Sequence, residues 1–174
     1  MILKNKRIIF TVLIFLVVVI AVTAYINRGS LSKKDTAQEE AIVTFKVNGE
    51  VIDSVSMNHI SKQGEKTFSK DLDTSDSGPV EQSYTGVPLI NILNSLNIDM
   101  SNKEQVIVKA IDGYTVALTA KEVMMEDNVY LVYKNNGEFL KTKKEGGTGP
   151  YRLVIREDQF GQRWNKFVTE VNIK

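Results

Sequence analysis

GGTGPYRLVIREDQFGQRWNKF, residues 146–167, places three glycines and a proline directly before a run of β-forming residues, followed by a second cluster of basic and aromatic side chains. Two interpretations compete for it: a cradle for an anionic ligand, or the turn and two strands of an ordinary sheet. In a phosphate-binding loop the glycines precede a helix, whose N-terminal amides hold the anion. Here they precede the predicted strand YRLVI at 151–155, which disfavours a phosphate loop.

The N-terminal segment, residues 1–27, is predicted to be a membrane anchor or an export signal. Lys4, Lys6 and Arg7 precede an uncharged, apolar run from Ile8 to Ile26. The length of this run is close to the roughly 17–25 residues that a membrane-spanning helix needs. Because basic flanking residues stay on the cytoplasmic side, the rest of the chain is predicted to lie outside the cytoplasm.

Cleavage of this segment stays open. Val22 and Ala24 give a small-residue pattern that a signal peptidase accepts, which would release a secreted form beginning at Tyr25. The apolar run is longer than the roughly 7–15 residues usual in the core of a signal peptide. Its length therefore favours a retained, single-pass signal-anchor that acts as a transmembrane helix.

The rest of the chain has the composition of one mildly acidic domain. Residues 28–40 are polar and predict a flexible tether, and a single domain is expected over 41–174. Six of the 22 basic residues and none of the 21 acidic ones lie in residues 1–34, so the remainder carries a net charge of −5. Such a balance argues against a nucleic acid partner. KTKKEGG at 141–147 is the one basic exception.

The absence of cysteine excludes two further classes of protein. No Cys occurs in the 174 residues. A small disulfide-stabilised scaffold is therefore excluded, and so are thiolate catalysis and thiolate metal ligation. The domain must depend on its hydrophobic core for stability.

Alternating apolar residues and turn signals predict a mainly β domain. AIVTFKV and EVIDSV flank Asn48-Gly49, which is a strong hairpin signal, and Asp112-Gly113 and Asn136-Gly137 give two more. About seven to nine strands with two or three short helices are expected. The predicted class is α+β, with a mainly β core and a few short helices.

The predicted helices follow from capping and periodicity. Leu89, Ile92, Leu93 and Leu96 repeat at helical spacing after Pro88, which suits the first turn of a helix. We expect this amphipathic helix to pack on the core. Two shorter helices are expected after Ser56, as an N-cap, and after the capping box that Thr119 forms with Glu122.

Metal ligands of the usual kinds are not grouped in the sequence. His59 is the only histidine and has no second His or Cys to join it. Asp71, Asp73 and Asp76 lack the glycine and the terminal glutamate of a calcium loop. We predict no metal site, and we expect this acidic stretch to be a short strand that runs into a surface loop.

Four motifs occur in an order that resembles one family. They are YTGVPLINILNSL at 84–96, AIDGYTVALTAKEV at 110–123, LVYKNNGEFL at 131–140 and the opening glycine-proline stretch with the strand after it. This series resembles the molybdopterin-binding domain of sulfite oxidase-type oxidoreductases. FKVNGEVIDSVSMNHI at 45–60 is similar to the opening strand pair and short helix of that domain, so the resemblance covers about residues 42–173.

The resemblance implies a minimal version of the domain. In enzymes of the family, a cysteine thiolate upstream of the YTGVPL-like motif binds molybdenum, whereas TFSKDLDTSDSGPVEQS at 67–83 contains no cysteine. The resemblance also implies a set of pocket residues: Gly147, Arg152, Arg163 and Lys166, with Tyr84 and Tyr114 as walls. The alternative is that the glycines only permit a tight turn and that Arg152 pairs with Glu157 or Asp158 on the surface.

Functions from different classes remain open. The first is a membrane-tethered, extracytoplasmic, non-catalytic binding or accessory module without a cofactor, acting on a small anionic or polar ligand or on a partner protein, including a redox partner. The second is a molybdopterin-dependent oxidoreductase in which Ser69, Asp71 or water replaces the thiolate. A purely structural or assembly role is the third.

Overall fold

The computed structural model describes residues 10–23, 25, 41–74 and 78–174. In chain order the elements are α1 (residues 10–23), β1 (Ile42–Val47), β2 (Glu50–Ser56), α2 (Met57–Ser61), β3 (Lys66–Thr74), β4 (Gly78–Pro88), α3 (Leu89–Ser95), β5 (Gln105–Ala110), β6 (Thr115–Thr119), α4 (Ala120–Met124), β7 (Val129–Asn135), β8 (Glu138–Phe139), β9 (Arg152–Ile155) and β10 (Val168–Ile173), with 3₁₀ turns at Lys143–Glu145 and Gly161–Arg163. The fold class is α+β with a mainly β core, as the sequence predicts.

The chain divides into two compact units, Met1–Gln38 and Glu39–Lys174. The second unit holds every strand that the structure describes. In the described part of the chain, no helix has both the length and the apolar character needed to cross a membrane. The basic flank of the predicted anchor, residues 1–9, and the predicted tether, 28–40, lie outside the described residues.

The first sheet has the strand order β2-β1-β10-β5-β6. β1 and β10 run parallel, with Thr44 opposite Glu170, and the other neighbours are antiparallel. The last strand of the chain therefore lies between two hairpins that precede it in the sequence. Phe167, just before β10, accepts a hydrogen bond from the amide of Ile111, which directly follows β5.

The second sheet has the strand order β3-β4-β7-β8, and β9 also pairs with β7. All neighbours in it are antiparallel. The first five residues of β7, VYLVY, are buried because this strand is paired on both sides, with β4 and with β9, and belongs to the hydrophobic core. An isolated bridge between Arg152 and Lys166 joins β9 to the segment that leads into β10.

Turn chemistry explains the hairpins. Asn48 and Gly49 have φ values of 51° and 90°, and Asn136 and Gly137 have values of 50° and 81°. Both pairs therefore adopt the left-handed conformation that a tight hairpin turn requires at its two central positions. The predicted hairpin turns at Asn48-Gly49 and Asn136-Gly137 are confirmed.

Two of the helix predictions are confirmed in detail. In α3, Leu89, Ile92 and Leu93 are fully buried in the core, and the helix begins directly after Pro88. In α4, the hydroxyl of Thr119 accepts from the Glu122 amide while the Glu122 carboxylate accepts from the Thr119 amide. Both helices pack where local sequence signals predicted them.

Two local predictions are wrong. Ser56 precedes α2, but its side chain makes no capping hydrogen bond, because packing of Met57 and Ile60 into the core holds this single turn instead. The described residues of this stretch, 67–74 and 78–83, do not form a short strand and a surface loop. They belong to the long hairpin of β3 and β4, which pair from Lys66 opposite Gly86 to Thr74 opposite Gly78.

Candidate functional site

Arg152, at the start of β9, is a buried cation. Only 6% of its surface is exposed. Because burial disfavours the charged form of the guanidinium, it lowers the pKa of Arg152. Its guanidinium carbon lies 5.9 Å from the ring centroid of Tyr84 and 5.4 Å from that of Trp164. Among the described residues its Nε has no hydrogen-bond partner and no carboxylate forms an ion pair with the group. The two aromatic rings are its stabilising neighbours.

Tyr84, on β4, completes this buried cluster. Its side chain is fully buried, and its ring meets that of Trp164 edge to face, with centroids 5.8 Å apart. Its hydroxyl has no partner in the described part of the chain. Burial raises the pKa of Tyr84, although the charge of Arg152 opposes the shift. We call Tyr84, Arg152 and Trp164 the aromatic-arginine cluster.

A surface pocket of about 330 Å³ adjoins this cluster at Trp164. It is lined by Asp112, Tyr114, Gly161, Gln162, Trp164, Asn165, Lys166 and Phe167. We call it the Lys166 pocket. Two of the predicted site residues, Tyr114 and Lys166, thus meet in one pocket.

Hydrogen bonds hold the walls of the Lys166 pocket. The Tyr114 hydroxyl donates to the Gln162 carbonyl at 3.0 Å, so the half-exposed ring is fixed against the 3₁₀ turn. The Asn165 amide donates to the carbonyls of Val108 and Tyr114 at 3.1 and 3.3 Å. Asn165 therefore ties the segment before β10 to the β5–β6 hairpin.

Lys166 is the cation available at this pocket. Its side chain is exposed and forms no ion pair with any residue that the structure describes. A lysine that is not neutralised, next to the rings of Tyr114 and Trp164, suits an anionic ligand with a flat apolar part.

Arg163 is placed differently from the other two predicted cations. Its Nε donates to Asp158 at 3.0 Å, its Nη2 also pairs with Asp158, and its Nη1 donates to Glu122 at 2.8 Å. These two carboxylates raise the pKa of Arg163, and the main cause is the hydrogen bond that Arg163 donates to Asp158. Asp158, one of the partners considered for Arg152, is thus bound to Arg163 instead.

Gly147 has a structural reason to be glycine. A Cβ at this position would collide with the backbone of Lys141, and a Cβ at Gly149 would collide with Leu140. Gly147 donates its amide to the Thr142 carbonyl at 2.9 Å and lines a separate pocket of about 410 Å³ with Lys141. The opening glycines therefore allow two chain segments to pack closely.

Trp164, Asn165 and Phe167 are site residues that the sequence analysis did not single out. Trp164 is the only tryptophan of the chain, and this could have marked it as a candidate site residue from the sequence. Phe167 has a φ of 57°, which is rare for a bulky residue, and no sequence pattern predicts it. A ligand-binding role for the six predicted residues stays a prediction.

The comparisons with known proteins agree with this architecture. The family model described as the oxidoreductase molybdopterin binding domain matches residues 34–174. The chain belongs to this family. Comparison of the sequence with curated proteins finds no significant match.

The fold is similar to that of the sulfane dehydrogenase SoxCD from Paracoccus pantotrophus, a solved structure, with a TM-score of 0.64. The two chains share 18% sequence identity, and the similarity covers 78% of this chain and 38% of the other. At this identity the likeness shows the fold alone. The chain spans well under half of the length of that protein.

The residues of this family member do not fit a thiolate-held molybdenum centre. The chain has no cysteine, and the described residues contain no group of three or more His, Cys, Asp or Glu side chains that could hold a metal ion. Ser69 and Asp71, the predicted oxygen ligands, lie exposed on β3. Of the three predicted cations, Lys166 is exposed and Arg152 is buried, whereas two carboxylates neutralise Arg163.

Proposed function

We propose that this protein is a membrane-tethered, extracytoplasmic, non-catalytic binding module whose Lys166 pocket takes a small anionic ligand. The observation that carries the proposal is an exposed lysine without an ion pair in the described part of the chain, set between aromatic walls in a pocket of about 330 Å³. This volume is within the range of about 300–1,000 Å³ that is usual for small-molecule sites.

The non-catalytic part of the proposal rests on residue chemistry. Family membership supplies the fold, but the thiolate that holds molybdenum in the resembling enzymes has no counterpart in residues 67–83. Arg163, the third predicted cation, is committed to Asp158 and Glu122. What remains at the pocket is suited to binding an anion rather than to holding a metal in a reactive state.

The membrane-tethered part rests on the N-terminal sequence. Lys4, Lys6 and Arg7 before Ile8–Ile26 favour an anchor with its basic end in the cytoplasm. A protease added to intact spheroplasts is expected to remove the domain and leave a short membrane-bound fragment. A soluble mature protein beginning at Tyr25 would show cleavage, and a domain protected from the protease would show the opposite orientation.

Calorimetric titration of the full chain with phosphate, sulfate and a pterin phosphate tests the binding proposal. Saturable binding is expected for at least one of these anions, together with stabilisation of about 2.7 kcal/mol when the ligand reaches a hundred times its dissociation constant. Lys166→Ala is expected to abolish the response. The matched control Lys62→Ala removes another exposed lysine, away from the pocket, and is expected to leave binding unchanged.

The binding proposal fails if no anion binds saturably, or if the response survives Lys166→Ala. A salt response that is the same in the wild type, in Lys166→Ala and in Lys62→Ala is nonspecific screening of exposed charge. It would mean that the stretch 146–167 is structural and that any anion site lies elsewhere.

A further inference from the structure

A second pocket, distinct from the Lys166 pocket, also has Phe167 in its wall and has a volume of about 290 Å³. It is lined by Ile111, Thr142, Lys143, Lys144, Gly149, Pro150, Phe167 and Thr169. We call it the Pro150 pocket. Phe167 belongs to the walls of both pockets, whereas Lys166 belongs only to the first.

The walls of the Pro150 pocket are apolar although they face solvent. Ile111 is 70% exposed, yet its position is fixed because its amide donates to the Phe167 carbonyl at 3.1 Å. Phe167 is held at a φ of 57°, and its own amide donates to the Thr148 carbonyl at 3.1 Å. A bulky residue in the left-handed region costs on the order of 1–3 kcal/mol and persists where the surroundings impose it. The apolar walls are therefore positioned by backbone hydrogen bonds.

Cations border these apolar walls. Lys143 places its Nζ 5.5 Å from the centroid of the Phe167 ring and 3.8 Å from Asp112, a long and exposed ion pair. Lys144 is exposed and forms no ion pair with the described residues. Of the nearby carboxylates, Asp112 faces Lys143, and Glu145 accepts from the amide and hydroxyl of Thr142.

We propose that the Pro150 pocket binds an anionic amphiphile, with its apolar chain against Ile111, Pro150 and Phe167 and its charged head at Lys143 and Lys144. A purely hydrophilic anion would leave the apolar walls exposed to water. A neutral apolar molecule would make no charge-assisted hydrogen bond with the lysines. The lysines of residues 141–147 are a basic exception in a mildly acidic domain, so the complementary charge is negative.

Two sources supply this chemistry: a free single-chain carboxylate, and an anionic lipid of a bilayer. The pocket recognises what the two share, a negative head followed by an apolar chain. The proposal does not depend on anion binding at Lys166, because the two pockets use different lysines and can fail separately.

Photolabelling of the full chain tests the proposal, because the positions of the labels show where on the chain the amphiphile binds. The probe for the free source is decanoic acid with a terminal diazirine. The probe for the bilayer source is a phosphatidylglycerol with a diazirine in its acyl chain, carried in nanodiscs of neutral lipid. Mass spectrometry of peptides then separates labels near Ile111, Pro150 and Phe167 from labels in residues 1–27.

At least one probe is expected to label the Pro150 pocket saturably, and decanoate is expected to compete with the free probe better than decanol does. The double variant Lys143→Ala/Lys144→Ala is expected to lower labelling by about fivefold for each lysine removed. Lys62→Ala/Lys103→Ala removes two lysines outside both pockets and is expected to leave labelling unchanged. Ile111→Ser is expected to lower labelling with the charge intact.

Which probe labels the pocket identifies the source. The proposal is overturned if neither probe labels the pocket, if decanol competes as well as decanoate, or if the double lysine variant labels as the wild type does. It is also overturned if Lys166→Ala removes the label as completely as the double variant, because the amphiphile would then occupy the Lys166 pocket.

Discussion

At the scale of single residues, the aromatic-arginine cluster is the least expected feature of the domain. Transfer of an ionised side chain from water into a protein interior costs several kcal/mol unless partners compensate. Arg152 has two aromatic rings near it, and within the described residues neither its Nε nor the Tyr84 hydroxyl has a hydrogen-bond partner. The fold thus accepts a local cost in stability beside the Lys166 pocket.

Tyr84→Phe measures this cost. Because the hydroxyl is buried without a partner, its removal is expected to raise the free energy of unfolding by about 1 kcal/mol. Tyr151→Phe is the matched control, since Tyr151 is equally buried but donates to the Ala41 carbonyl at 3.0 Å. It is expected to lower stability by about 1 kcal/mol. Denaturant unfolding checks both, and a loss of similar size in the two variants would show that the Tyr84 hydroxyl has a partner.

The Arg163 ion pairs predict a pH dependence through Glu122. Partial burial alone would raise the pKa of Glu122, but hydrogen bonds from the Thr119 amide, Arg163 and the Thr119 hydroxyl together lower it. A carboxyl whose pKa is lower in the folded state stabilises the protein above its unfolded pKa, about 4.3, and loses this contribution as the pH falls through the folded value.

Glu122→Gln is therefore expected to lower stability near pH 7 by only about 0.2–1 kcal/mol, because the pair is partly exposed. The difference from the wild type is expected to begin to shrink as the pH falls below the unfolded pKa of about 4.3, and to be lost as the pH falls through the lower folded pKa. Denaturant unfolding at several pH values checks this. If the difference in free energy of unfolding stays constant between pH 7 and pH 3, the charge of Glu122 does not contribute to stability.

At the scale of elements, the sequence correctly predicted the turns and helix caps that depend on residues close together in the chain. Asn48-Gly49 and the capping box of Thr119 with Glu122 lie within a few residues, and the structure confirms both. The long β3–β4 hairpin was missed because its extent depends on pairing between strands, and the Ser56 cap was replaced by core packing.

The same distinction applies to the candidate site. Tyr114 and Lys166 were named from motifs, and they do share a pocket. The ion pairs of Arg163 join Glu122 and Asp158, which no local pattern brings together. The left-handed backbone at Phe167 goes with tertiary hydrogen bonds to Thr148 and Ile111, so no local sequence pattern predicts that this residue lines two pockets.

Helix α3 gives the prediction that belongs to this scale. Leu93 is fully buried, so Leu93→Ala removes methyl groups from the core and leaves a cavity, with an expected loss of about 2–5 kcal/mol. Asn94→Ala, at an exposed position of the same helix, is expected to change stability by less than about 0.5 kcal/mol. Denaturant unfolding compares the two, and equal effects would show that Leu93 does not pack in the core.

At the scale of the whole molecule, the domain keeps a family fold without the residue that holds the metal in the resembling enzymes. Residues 34–174 match the molybdopterin-binding family, yet the 174 residues contain no cysteine. The second compact unit, Glu39–Lys174, has its own core and holds both the Lys166 pocket and the Pro150 pocket. We infer that the fold serves binding in this protein.

The molybdenum content of the purified protein tests whether the fold serves binding or holds a metal. The full chain is purified from a host that makes the molybdenum cofactor, beside a cysteine-containing enzyme of the family as the positive control, and the metal is measured by mass spectrometry against protein concentration. We expect molybdenum in the control and none above the buffer blank in this protein. Near-stoichiometric molybdenum bound to the chain would contradict it and would favour a molybdopterin-dependent oxidoreductase that uses oxygen ligands.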